Sequence, residues 1–166
     1  MLKKVAIFGV GLIGGSFASA LKKAGAVGHI TGVGRSAPTM ARARELGLID
    51  SIAASPAEAL QGADLVLIAA PVAQTEAILA SIEPHLESRT VVTDAGSTSG
   101  DVVAAARKAL GAKIAQFVPA HPIAGREQNG PDAAIADLYV GKKVVVTALS
   151  ENSQDAVKCV MAAWNQ

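Results

Sequence analysis

Apolar residues recur along the chain in two alternating rhythms. Short runs (residues 3–8, 29–33, 64–69, 90–93 and 143–147) read as strands, and 64–69 is continuously apolar, the kind buried on both faces of a parallel sheet. Between them lie segments with helical spacing: 16–23, 38–46, 56–60, 74–82, 100–110 and 152–164. Residues 51–53 read as a brief further strand, and 116–119 as a short extended piece. Gly25 and Gly47 follow helical segments, as expected of helix C-termini, and Pro71 closes the strand 64–69. Strands alternating with helices predict an α/β fold: a doubly wound, mostly parallel sheet of Rossmann type with helices on both faces. The longest stretch without period, 120–136, is rich in Gly, Pro, Asn and charge; a loop of that length in a compact domain is usually functional.

Composition narrows the picture. The 166 residues suit one domain, here taken as 1–166. With 51% hydrophobic but only 3% aromatic residues, the core must be built from Val, Ile, Leu and Ala. A net charge of +1 gives no reason to expect nucleic acid as a partner. Cys159 is the only cysteine, so no intrachain disulfide forms, and a reducing, cytoplasmic setting is expected. No leader and no apolar run long enough to span a membrane is legible. His29 and His85 have no neighbours at metal-ligand spacing, so no metal site is expected.

The candidate chemistry begins at Gly9, Gly11 and Gly14, a G-x-G-x-x-G run between a strand and a helix. In that context Gly9 permits a tight turn, Gly11 lets backbone approach a pyrophosphate, and Gly14 lets the helix pack closely. The N–H groups that open the helix, from Leu12 and Ile13, face the phosphates. About 20 residues beyond such a loop an acid usually binds the adenosine ribose of NAD. This chain has Gly34-Arg35-Ser36 there, and its first acid of any kind is Glu45. Arg35 would meet a 2′-phosphate, with Ser36 as a donor beside it, which predicts NADP in preference to NAD. Ala70 and Pro71, after the strand 64–69, are expected on the facing wall of the cofactor site. Arg42 and Arg44 read as a solvated helix face from which either could also approach that phosphate.

Two later stretches, "VTDAGSTSGDV" and "PAHPIAGREQNG", follow strand-like segments, where ligand contacts gather in open α/β sheets. Ser97 and His121 could both reach the nicotinamide end of the cofactor. There a histidine can accept a hydroxyl proton as hydride leaves carbon.

"FGVGLIGGS", "DAGS" and above all "HPIAGRE" resemble the prephenate/arogenate dehydrogenase family of tyrosine biosynthesis, over residues 3–164. The resemblance implies oxidative decarboxylation of a small-molecule substrate, prephenate or arogenate. His121 would be the catalytic acceptor, Ser97 would assist at the nicotinamide, and Glu127 would contribute to the substrate pocket. It also implies an all-helical domain after residue 166, absent from this chain, through which the full-length protein would form a homodimer. The 166 residues alone are then expected to be inactive. Two alternatives stay open: another two-domain dehydrogenase with a helical second domain, and a nicotinamide-sensing module without catalysis.

Overall fold

The computed structural model describes residues 1–96, 99–123 and 130–165. Six parallel strands form one sheet: β1 (Leu2–Phe8), β2 (Val27–Val33), β3 (Ser51–Ile52), β4 (Leu65–Ile68), β5 (Val91–Asp94) and β6 (Phe117–Val118). Their spatial order is β3-β2-β1-β4-β5-β6, so the winding direction reverses between β1 and β4. In such sheets the crevice at that reversal, outside the carboxyl ends of the strands, is where ligands bind.

Strand β1 explains how both faces are covered. Val5 and Ile7 point into one apolar cluster, Ala6 and Phe8 into the other, by simple alternation. The first cluster is filled by α1 (Leu12–Lys23), α2 (Ala37–Glu45) and α6 (Gln154–Trp164). The second is filled by α3 (Pro56–Leu60), α4 (Thr75–Ile82) and α5 (Ser99–Leu110). Trp164 at the end of α6 is buried, edge-on to Phe17 at 4.7 Å and to Tyr139 at 5.1 Å between ring centroids.

Three differences from the sequence reading have physical causes. Helix α1 starts at Leu12 rather than at residue 16, so Gly14 and Gly15 lie inside it. Their weak helix propensity is overridden by close packing: a Cβ on Gly14 would run into the Gly9 carbonyl, and one on Gly15 would stand 2.9 Å from Ala134. The extended piece 116–119 is present as β6, but residues 111–116, to which the sequence reading gave no element, form a 3-10 turn, Gly111–Gln116, ahead of it. Residues 143–147 do not join the main sheet. There, β8 (Val144–Val146) pairs antiparallel with β7 (Ala120–Pro122), a strand inside the stretch expected to be loop.

Pro122 fits β7 because of register. Ile123 N–H donates to Lys143 and Thr147 N–H to Pro119, so odd-numbered residues of this strand carry the ladder bonds. Pro122 falls at a position where no N–H is needed.

Candidate functional site: the carboxyl-end crevice

Gly9 has φ +93°, a backbone region closed to most side chains, and a Cβ there would lie 2.8 Å from the Ala70 nitrogen. The turn leaving β1 is therefore pressed against the chain leaving β4. Gly11 is different, because a Cβ added there would meet nothing within 4 Å. It stands at the mouth of an open cleft of about 510 Å³ lined by Gly9, Gly11, Arg35, Ser36, Ala70 and Pro71, among others. Helix α1 is N-capped by Gly11 with no side-chain cap and no acid in its first turn. Its opening N–H groups, at Leu12 and Ile13, thus offer donors and partial positive charge to an anion. A bare glycine over open space and an uncapped helix start fit a dinucleotide pyrophosphate.

Arg35 is exposed and forms no ion pair among the described residues. Ser36 N-caps α2, its oxygen accepting the Thr39 N–H at 3.3 Å, which leaves its hydroxyl proton free to donate. Arg42 is committed elsewhere. It pairs with Asp132 at 2.7 Å and with Glu45 at 3.4 Å, which takes it away from the cleft.

A larger cleft, about 760 Å³, opens at the amino ends of β1, β4 and β5. Its Arg89 pairs with Asp64 and Glu87. The carboxyl-end crevice is the better candidate, since it holds the reversal of winding, the open glycine and the uncapped helix start.

His121 sits on β7 opposite Val145, half-exposed, with Nδ1 buried and without a hydrogen-bond partner among the described residues. Beside it, at the carboxyl end of β5, lies Asp94. This residue is 3% exposed and aligned with Ile68, which is itself aligned with Phe8 just before the glycine turn. Two strand spacings separate Phe8 from Asp94, about 10 Å. Burial pushes the Asp94 carboxyl up, against the pull of N–H donors from Ala120 and Gly96 and of the His121 charge. Sequence reading passed over Asp94 although it stands in the quoted D-x-G-S run. Its signal is an acid closing an apolar strand two residues before a glycine. Ser97 and Glu127 lie outside the described residues. Among the described residues, no three His, Cys, Asp or Glu side chains group around a metal position. No helix is long and apolar enough to cross a membrane among these residues.

Fold and crevice define a doubly wound dinucleotide-binding domain. Residues 17–166 match the model of the prephenate dehydrogenase nucleotide-binding domain, and the chain belongs to that family. It is 32% identical, over its whole length and 56% of the relative's, to a cyclohexadienyl dehydrogenase of Zymomonas mobilis. Among solved structures it resembles a prephenate dehydrogenase from A. aeolicus in complex with hydroxyphenyl propionate and NAD+. The TM-score there is 0.91 and the identity 34%, over 99% of this chain and 57% of that one. A Synechocystis arogenate dehydrogenase follows at TM-score 0.86 and 28% identity, over 96% and 55%. The chain thus spans little more than half the length of the relatives it matches.

Proposed function

We propose that this chain is the cofactor-binding half of a dehydrogenase that oxidatively decarboxylates prephenate or arogenate. The observation that carries the reading is the position of His121: it stands beside a buried carboxylate, at the same end of the sheet as the open glycine turn. The names of the relatives supply the substrate class.

In this reading the cofactor is NADP in preference to NAD. The opening N–H groups of α1 bind the pyrophosphate, Gly11 leaves room for it, and Ala70 and Pro71 form the opposite wall. Arg35 and Ser36 receive the 2′-phosphate, with no nearby acid to repel it. A dinucleotide held there would supply the hydride acceptor for the ring carbon that bears the hydroxyl. His121 accepts the hydroxyl proton, and because Nδ1 is buried, Nε2 is the nitrogen presented to substrate. The carbon–carboxylate bond breaks, CO2 leaves, the electron pair of that bond completes the aromatic ring, and the ring oxygen recovers the proton from His121 to leave a phenol. Ser97 orients the reacting groups and Glu127 lines the substrate pocket, roles carried by the family resemblance alone. An all-helical domain beyond residue 166 closes the site and forms a homodimer, in the reducing cytoplasm.

The test is turnover of the full-length product with prephenate and with arogenate, each with NAD+ and NADP+. Reduction of the dinucleotide with one of the two substrates is expected. No reduction with either would leave only a nucleotide-binding module. Titration of the 166-residue chain should show tighter NADP than NAD, and tighter or equal NAD overturns the role of Arg35.

A further inference from the structure

Asp94 is an aspartate at the end of an apolar strand, 3% exposed, and no lysine or arginine pairs with it among the described residues. A carboxylate in such a place costs desolvation and persists only if its lone pairs are well used. Both oxygens are occupied. Oδ1 accepts the backbone N–H of Ala120 at 3.1 Å, and Oδ2 accepts that of Gly96, also at 3.1 Å. Ala120 is the residue before His121, and Gly96 is the residue before Ser97. One side chain therefore ties together the two chain segments that carry the candidate reacting groups. Gly96 is part of the device: a Cβ there would sit 2.8 Å from Oδ2 and press into the clamp. Nearby, Thr93 Oγ1 donates to the Val118 carbonyl at 2.7 Å and locks β5 to β6 just ahead of β7.

Residue chemistry requires an acid at this position. A carboxylate accepts at both oxygens, whereas an amide would turn an NH2 against one of the two N–H donors. We propose that Asp94 is a positioning residue for the reaction: by holding the Ala120 and Gly96 amides it fixes the strand that carries His121 to the end of β5. The kinetic part of this proposal rests on the dehydrogenase reading above; the clamp itself does not.

The test is Asp94→Asn, read in two ways. In the full-length product kcat should fall by about 10- to 100-fold while dinucleotide affinity stays within roughly twofold. In the 166-residue chain the Ala120 and Gly96 amides should exchange with solvent about 10-fold faster or more, while the amides of β1 and β4 keep their protection. A kcat near that of the parent overturns the proposal. So does a kcat loss matched by an equal loss of dinucleotide affinity, or unchanged exchange at Ala120. If the parent shows no turnover with prephenate or arogenate, the dehydrogenase reading fails by itself, and amide exchange still decides the clamp. Should Asp94→Asn not fold, Gly96→Ala keeps the charge but crowds Oδ2. It should give the same separation of kcat from cofactor affinity, and parental kinetics there would overturn the proposal.

Discussion

His121 owes its place to neighbours rather than to its own contacts. Its strand is paired on one side with β8, Pro122 removes backbone freedom after it, and the amide before it is held by Asp94. His121→Asn keeps a polar group near the Nδ1 position but is smaller and is not an effective proton acceptor. In the full-length product this variant should lower kcat by roughly 100-fold or more, with dinucleotide affinity nearly unchanged. An equal loss of cofactor binding would point to a structural role. At the other end of the cleft, Arg35→Ala should weaken NADP by about 1.5–3 kcal/mol and leave NAD unaffected, measured by titration calorimetry. The glycine turn and the place of Arg35 on the cleft were legible in the sequence because each belongs to a short pattern with a fixed neighbourhood. Asp94 was not, because its meaning depends on an amide 26 residues away.

At the scale of elements, the strands of the main sheet were readable because both faces are buried and their apolar runs are continuous. Strand β8 was readable too, inside the run 143–147, but its antiparallel partner β7 was not, since three residues are too few to show alternation and the pairing spans an intervening loop. The start of α1 was misjudged for the opposite reason: propensity speaks against glycine where tight packing demands it. Gly14→Ala therefore tests packing against propensity. Helix propensity alone favours alanine by about 1 kcal/mol, but the clash with the Gly9 carbonyl should win. Denaturant titration should show lower stability, and dinucleotide binding should weaken as the turn is displaced. Gly15→Val should disturb the packing of residue 134 on α1 in the same measurement.

For the whole molecule, charge sets how stability varies with pH. Burial raises Asp64, but the Lys3 and Lys4 amides and the Arg89 guanidinium outweigh it and hold the carboxyl below its ordinary value. Asp50 is likewise raised by burial and lowered more by Lys22 and the Ile30 amide. A depressed carboxyl contributes stability above its unfolded value, near 4, and that contribution fades as pH falls through the folded one. Asp94 has the opposite sign: its raised folded value means that ionising it costs stability as pH climbs from about 4. The melting temperature should therefore drop as pH falls below about 4, and Asp64→Asn should flatten that drop. A variant with the parent's acid profile would show that Asp64 contributes little. Ligand acts on the same equilibrium. A dinucleotide at 100 times its Kd should add about 2.7 kcal/mol and raise the melting temperature by several degrees, readable by scanning calorimetry.

Trp164 is the sole tryptophan of the chain, wedged between the rings of Phe17 and Tyr139. Phe17 belongs to the helix that opens on the glycine turn, and the Tyr139 hydroxyl donates to the Ile13 carbonyl in that helix's first turn. A single fluorophore is thus seated against the element that begins the dinucleotide site. Its emission colour gives an unlabelled optical signal for whether α6 is docked on α1, so one cuvette can follow unfolding throughout a titration.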